Sequence, residues 1–108
     1  MSATRSVPVV EPEEDVETRI APLYNVILLD DSDHTYDYVI EMLQALFGFS
    51  EQRAYQHAVE VDTTKRTILV TCDLEHAEFK RDQIHAYGAD WRIPKCQGSM
   101  SAVIEPAL

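Results

Sequence analysis

Cysteine and glycine are scarce in this chain of 108 residues, which contains two cysteines and three glycines. Two cysteines are too few for a disulfide-rich scaffold, and so few glycines leave no Gly-rich loop that could cradle a phosphate. The N-terminal region lacks the apolar segment of a secretory signal, and no apolar run is long enough to span a membrane. We therefore expect a cytoplasmic protein in which Cys72 and Cys96 are free thiols, while a disulfide between them stays open as an alternative.

Positive charge is also in short supply. The chain has 9 Lys and Arg against 19 Asp and Glu, giving a formal net charge of −10 and a pI near 4.6. Nucleic acid and anionic membrane both require a basic footprint, so neither is an expected partner. The charge favours basic or amine-bearing partners, although acidity also serves solubility alone. With 45% hydrophobic residues, the chain is long enough for one small domain and too short for two.

Apolar periodicity, capping residues and turn residues predict the element order β-α-α-β-α-β. The expected fold is a single two-layer α+β domain over residues 21–108, with a three-stranded antiparallel sheet and three helices packed on one face. Four side chains of the third helix should face the core: Leu74, Ala77, Ile84 and Tyr87. The predicted elements are strand Tyr24–Leu29, a helix from Thr35 or Tyr36 to about Gly48, helix Glu51–Val61, strand Thr67–Thr71, helix Leu74–Tyr87 and strand Ser99–Glu105.

The first 20 residues differ in composition from the rest of the chain. They contain Pro8 and Pro12, five acids and no periodic apolar face. Because so little apolar area cannot offset the entropy of ordering, we predict a disordered acidic N-terminal extension over residues 1–20. Such an extension is either a solvated leader without a role or a tail that engages a partner. Its acids are Glu11, Glu13, Glu14, Asp15 and Glu17.

An acidic turn joins the first predicted strand to the first predicted helix. No Lys or Arg occurs between Arg19 and Arg53, so the turn has no cation in its own segment. One or two acids are enough to cap a helix and complement its dipole. The larger number here leaves capping and the capture of an external cation as two open interpretations. The turn consists of Asp30, Asp31, Ser32, Asp33 and His34, with Asp37 and Glu41 following.

Metal binding and catalysis are weakly supported by the sequence. A calcium loop that begins at Asp30 would need glycine at its sixth position, where the chain has Thr35. Zinc ligands such as Cys72 with His76 lack the close ligand pairs that zinc sites use. No nucleophile elbow is present. We therefore expect neither an enzyme nor a cofactor, with a metal-dependent hydrolase at the acidic turn as the least favoured alternative.

Four segments resemble the ClpS family of adaptor proteins for the Clp protease machinery. They are VILLDD at Val26–Asp31, VIEMLQALF at Val39–Phe47, EQRAYQHAVEV at Glu51–Val61 and LEHAEFKRDQI at Leu74–Ile84. The resemblance extends from about Leu23 to Pro106 and keeps the order and spacing of these motifs. It implies an N-degron adaptor, which binds proteins that begin with Leu, Phe, Tyr or Trp and passes them to an AAA+ unfoldase for degradation.

The resemblance also implies where the first residue of a substrate would bind. The family holds the substrate's α-amino group with an Asn-Asp-Asp turn and with a His at the end of its second helix. The matching positions here are Asp30, Asp31 and Ser32 for the turn, and Asp62 for the His, so that only Asp31 is identical. Beside them, the implied hydrophobic pocket consists of Tyr36, where the family often has Met, and of Val39, Ala58, Val61 and Met100.

A second surface implied by the resemblance would contact the N-terminal domain of the unfoldase. Glu75 and Lys80 match the family's docking residues on its third helix, and the N-terminal extension matches a segment that assists substrate transfer. We expect a monomer that makes these contacts without a metal ion. Because the Asn and the His are both replaced, the alternative is a regulator that docks on the Clp unfoldase without recognising N-terminal residues.

Overall fold

The computed structural model describes residues 21–31, 34–94 and 98–108. Within these ranges the element order is β-α-α-β-α-β, as predicted. The predicted N-terminal extension lies outside the described residues, as do Ser32, Asp33 and Cys96. The elements are β1 Tyr24–Leu29, α1 Tyr36–Phe47, α2 Glu51–Thr64, β2 Arg66–Cys72, α3 Leu74–His85 and β3 Ser101–Pro106.

The strands form an antiparallel three-stranded sheet in the order β2-β1-β3. The central strand β1 pairs along its whole length with both neighbours, so that Tyr24 is opposite Cys72 on one side and Pro106 on the other. A register shift between Val26 and Ile27 marks an irregularity in the pairing of β1 with β2. The sheet predicted from the sequence is therefore confirmed, and β2 and β3 are its two edges.

Alternation along β1 separates the two faces of the sheet. Val26 and Leu28 belong to the buried core that the helices cover, while Ile27 points to the other face and is nevertheless 0% exposed. Arg66 and Glu105, on the two edge strands, form a salt bridge of 2.8 Å between the guanidinium and the carboxylate. The residues directly opposite Ile27 on the two edge strands are Ile68 and Val103. Within the described ranges, no helix has both the length and the apolar character needed to cross a bilayer.

Capping residues fix the starts of the helices. The Ser50 side chain accepts a hydrogen bond from the Arg53 amide at the start of α2, and Asp73 accepts one from the His76 amide at the start of α3. Gly48 follows α1 with φ of 69°, a left-handed conformation that glycine adopts without steric strain. These three boundaries agree with the sequence prediction.

The ends of α2 and α3 differ from the prediction. α2 continues past Val61 to Thr64 and ends at Lys65, whose left-handed conformation lets its amide bond to the Val61 carbonyl; the Thr63 and Thr64 hydroxyls donate to helix carbonyls one turn earlier. α3 ends at His85 rather than at Tyr87. Its predicted inner face is only partly correct. Ala77 and Ile84 are fully buried, whereas Leu74 is 41% and Tyr87 is 37% exposed.

Candidate functional site

Asp90 anchors the N-terminus of α1 from a distant loop. One of its carboxylate oxygens, Oδ2, accepts hydrogen bonds of 2.9 Å from both the amide and the hydroxyl of Thr35, the N-cap of α1. The other, Oδ1, accepts bonds of 3.1 Å from the Arg92 amide and guanidinium. Arg92 also pairs with Glu41 on α1. These contacts hold the end of the acidic turn against the loop that follows α3.

The Asp90 carboxylate stays charged although its residue is only 1% exposed. Burial alone would raise the pKa of this carboxyl, but the hydrogen bonds from Thr35 and Arg92 outweigh burial and lower it to about 2. This anchor is not predictable from local sequence signals. Its one local signal is the Asp90-Trp91-Arg92 spacing, and the contact with Thr35 spans 55 positions, so periodicity and capping rules do not reveal it.

His34 links the acidic turn to the segment before β3. Its Nδ1 lies 2.9 Å from Oδ1 of Asp31, and its Nε2 lies 2.7 Å from the Gly98 carbonyl oxygen. The side chain of His34 is only 3% exposed, whereas that of Asp31 is 29% exposed. The carboxylate of Asp31 is thus held by the turn itself and remains partly open to solvent.

Tyr36 and Asp62 meet across the gap between α1 and α2. The Tyr36 hydroxyl donates a hydrogen bond of 2.7 Å to Oδ2 of Asp62, and the Tyr36 ring packs edge-to-face on Tyr55. The bond to Asp62 is the main reason why the pKa of Tyr36 is raised, and the charges of Asp62 and Asp30 act in the same direction. The fold therefore hydrogen-bonds Asp62 to Tyr36 and brings the charge of Asp30 within electrostatic range of the same side chain.

Lys65 adds a cation that the sequence did not predict. Its Nζ lies 3.4 Å from Oδ2 of Asp30 and donates a bond of 3.1 Å to the Asp62 carbonyl oxygen. The backbone also connects these segments, because the Asp30 amide donates to the Lys65 carbonyl. The acidic turn therefore lacks a cation only in its own segment. Since the Lys65 side chain is 71% exposed, water screens this ion pair strongly.

Most of the predicted apolar pocket residues are part of the hydrophobic core in the structure. Four of them belong to one buried core cluster and are at most 4% exposed: Val39, Ala58, Val61 and Met100. Tyr36 lies one turn before Val39 on α1 and is 38% exposed, so it is the pocket residue nearest to solvent. Val61 and Asp62 are consecutive on α2, with Val61 buried in the core and Asp62 exposed.

The two predicted docking residues differ in their surroundings. Glu75 is exposed in the first turn of α3. The Nζ of Lys80 donates a hydrogen bond of 2.6 Å to the Leu46 carbonyl in the last turn of α1, and it lies 5.0 Å from the centroid of the Phe47 ring. Lys80 therefore also stabilises the C-terminus of α1, where a cation complements the helix dipole.

Comparison with known proteins identifies the family. The family model for the ATP-dependent Clp protease adaptor protein ClpS matches residues 19–92. The chain belongs to the ClpS family. The ClpS adapter of Synechococcus sp. is 31% identical over 81 residues, which cover 74% of this chain and 89% of that protein. The ClpS adapter of Nautilia profundicola is 34% identical over 73 residues, covering 68% of this chain and 75% of the relative.

A solved ClpS structure has the same fold. The structure of Agrobacterium tumefaciens ClpS2 bound to L-phenylalaninamide superposes with a TM-score of 0.69 at 24% identity, covering 81% of this chain and 99% of that one. The relatives are named as adaptors rather than catalysts, which assigns this ClpS chain to a family of Clp protease adaptors. All the predicted site residues lie within the matched range 19–92 except Met100.

Proposed function

We propose that this ClpS-family adaptor recognises N-degron substrates by their free α-amino group and bulky hydrophobic first residue, and delivers them to a Clp unfoldase. The observation that carries the proposal is the position of Asp62. Its carboxylate accepts a hydrogen bond from Tyr36 across the gap between α1 and α2, the two helices that also carry the buried side chains of Val39 and Val61. Each group supplies one half of the recognition.

The amine half of the proposal rests on Asp30, Asp31 and Asp62. An ammonium group has three donors and no acceptor, so it requires several oxygens in one place. The Lys65 ammonium already lies near Oδ2 of Asp30 and the backbone carbonyl of Asp62, which supports the binding of a cation at this corner of the fold. A charged substrate amine forms a stronger hydrogen bond with Asp62 than the neutral Tyr36 hydroxyl does, and can therefore replace it.

The apolar half of the proposal rests on Val39, Ala58, Val61 and Met100, with Tyr36 at the entrance. Burying a large side chain is worth about 1.5–3 kcal/mol, and a charge-assisted hydrogen bond about as much. Either contribution alone is too small to offset the entropy of association, so measurable binding requires both. ClpS2 of A. tumefaciens binds L-phenylalaninamide, which combines a free amine with a large side chain and supports this pairing.

Peptides that differ only at their first residue test the proposal. Binding of a labelled Leu-initiated peptide, measured by fluorescence polarisation, should weaken at least tenfold when its amine is acetylated and when Leu is replaced by Ser. Asp62→Asn should weaken the free-amine peptide, with little effect on the acetylated one. Equal binding of the acetylated and free peptides would exclude recognition of the amine.

A second candidate function is regulation of the unfoldase without recognition of N-terminal residues. One observation favours it: the carboxylates of Asp30, Asp31 and Asp62 contact Lys65, His34 and Tyr36, respectively. If these contacts do not yield to a peptide amine, the site stays closed. The same titration separates the candidates, because a regulator would bind none of the peptides and would still bind the unfoldase.

We further propose that Glu75 and Lys80 contact the N-terminal domain of the unfoldase. Glu75 is exposed at the start of α3, and the Lys80 ammonium lies at the end of α1. Glu75→Lys should weaken binding to the isolated unfoldase domain, measured by calorimetry, and should leave the peptide titration unchanged. A loss of peptide binding in this variant would contradict two separate surfaces.

A further inference from the structure

A groove outside the candidate peptide site runs beside the edge strand β2. Its volume is about 520 Å³. Residues Ile68–Thr71 of β2 line it, together with Phe47, Phe49, Arg53, His76 and Lys80. None of the proposed amine-binding or pocket residues contributes to it, and of the proposed docking residues only Lys80 does. The groove is therefore a surface feature separate from the proposed peptide site.

Two unpaired cations distinguish this groove. Among the described residues, Arg53 and Lys80 form no salt bridge, although the protein carries a net charge of −10. The Arg53 guanidinium lies 3.9 Å above the centroid of the Phe49 ring, and Lys80 lies near Phe47. The groove thus offers positive charge next to aromatic surface. The other described Lys and Arg residues all have a carboxylate partner: Lys65, Arg66, Arg81 and Arg92.

The backbone of β2 suits an extended ligand. β1 pairs with one side of β2, and no strand of the described residues pairs with the other side. An unpaired edge offers amide and carbonyl groups to any chain that can adopt an extended conformation. Charge and backbone together therefore favour an acidic peptide segment rather than a compact ligand.

The described part of the chain begins beside one end of this groove. Thr71 lines both the groove and a second cavity that is formed in part by Ala21, Pro22 and Leu23. The acidic stretch Glu11–Glu17 precedes Ala21 by four to ten residues. At up to about 3.6 Å per residue it reaches roughly 14–36 Å from Ala21, while four residues of β2 extend about 13 Å.

We propose that the groove binds the chain's own acidic segment, Glu11–Glu17, as an extended peptide beside β2 with carboxylates close to Arg53 and Lys80. The segment holds five acids and neither Lys nor Arg, which complements the two unpaired cations. Pro12 is compatible with this position, because the added strand is itself an edge and its outer side requires no donor. Covalent linkage supplies a millimolar effective concentration, so a weak intrinsic affinity is sufficient.

This docking has a regulatory consequence for the adaptor. The segment would cover Lys80 and thereby compete with the unfoldase for the same cation. That consequence rests on the proposed docking role of Lys80, whereas the docking of the segment does not. An experiment without unfoldase and without a free peptide amine therefore tests the inference separately from the proposed function.

The test uses an acetylated, fluorescein-labelled peptide of residues 7–18 and two full-length chains. One chain is wild type, and in the other all five acids of the segment are changed to their amides. The peptide should bind the amide chain at least fivefold more tightly, because the wild-type groove is already occupied. In the amide chain, Arg53→Glu should weaken binding of the peptide at least fivefold. Arg81→Glu makes the same change in net charge and should alter the affinity for the peptide less than twofold.

Three results would overturn the inference. Equal binding by the wild-type and amide chains would mean that the chain's own segment does not occupy the groove. Equal weakening by Arg53→Glu and Arg81→Glu would reduce the effect to overall charge. Absence of measurable peptide binding to the amide chain would exclude the groove as a site. Because Arg53 is exposed, Arg53→Glu should keep the wild-type melting temperature, which confirms that the variant is folded.

Discussion

Two carboxylates contact consecutive residues at the start of α1, and they differ in burial and in partners. Asp90 is 1% exposed and accepts four hydrogen bonds from Thr35 and Arg92. Asp62 is exposed, and within the described residues its carboxylate accepts one hydrogen bond, from the Tyr36 hydroxyl. The carboxylate of Asp90 is therefore buried and fully bonded, whereas that of Asp62 is exposed and has one neutral partner.

This contrast shows that one small domain holds both a buried, fully bonded carboxylate and an exposed carboxylate with a single neutral partner. A buried carboxylate with every contact satisfied cannot bind a new ligand without a large desolvation penalty. It can hold the turn and the first residues of α1 in one geometry. An exposed carboxylate with a neutral, displaceable partner can exchange that partner for a charged amine. Asp90 thus positions the start of α1, and Asp62 is the group that we propose to bind the substrate amine.

Of the changes considered, replacing Asp90 should have the largest effect, and it should lower the free energy of unfolding. Asp90→Ala leaves the Thr35 amide and the Arg92 guanidinium without their buried acceptor, so we expect a loss of about 3 kcal/mol in the free energy of unfolding. Urea unfolding followed by circular dichroism measures it. Asp82→Ala is the matched control, because Asp82 also pairs with an arginine, Arg81, but is exposed; it should lose less than about 0.5 kcal/mol.

Acid should weaken the same anchor. The pKa of Asp90 falls from 3.8 to about 2 on folding, so the unfolded chain binds the proton more readily. The stabilisation is complete above pH 3.8 and is lost as the pH falls towards 2, with a total of about 2 kcal/mol. The stability difference between wild type and Asp90→Asn should therefore shrink between pH 5 and pH 2. A stability difference that stays constant over this range would contradict the proposal that ionised Asp90 stabilises the fold.

Local sequence signals were sufficient for the fold. Alternation in β1, the caps Ser50 and Asp73 and the glycine after α1 each depend on a few adjacent residues, and the structure confirms them. The errors lie where local rules compete. Thr63 and Thr64 are typical of a helix end, but α2 includes both and ends at the left-handed Lys65.

The candidate site was less accessible from the sequence alone. The family resemblance supplied Asp62 and Tyr36 as separate positions, but their hydrogen bond joins residues 26 positions apart and depends on how α1 packs on α2. Lys65 and Asp90 were missed for the same reason, because neither lies in the acidic turn. Pairings between distant residues follow from tertiary packing, and composition does not reveal which cation meets which acid.

Removing one hydroxyl tests whether the Asp62 contact is exchangeable. Tyr36→Phe frees the Asp62 carboxylate and should tighten binding of a Leu-initiated peptide about threefold, since a neutral hydrogen bond is worth about 0.5–1.5 kcal/mol. The effect should vanish with an acetylated peptide. Tyr55→Phe is the control, because the Tyr55 hydroxyl makes no hydrogen bond with the described residues. Weaker binding by Tyr36→Phe would mean that the hydroxyl contacts the peptide instead of competing with it.

The smallest expected effect concerns Lys65, whose ammonium would compete with a substrate amine for the Asp30 carboxylate. Lys65 has φ of 75°, a left-handed conformation that is strained for any residue with a Cβ, and it pairs with Asp30 at 3.4 Å. Lys65→Gly relieves the strain in the folded state, but it also increases the conformational entropy of the unfolded chain. Because the two effects oppose each other, the free energy of unfolding should change by less than about 0.5 kcal/mol.

Lys65→Gln separates charge from backbone at the same position, because it keeps the strain and removes the ammonium. If Lys65 weakens the site by neutralising Asp30, both variants should bind a free-amine peptide up to about twofold more tightly. The gain should be larger at 20 mM than at 500 mM salt, since the ion pair is exposed to screening. A gain in Lys65→Gly alone would assign the effect to the backbone and would remove Lys65 from the electrostatics of the site.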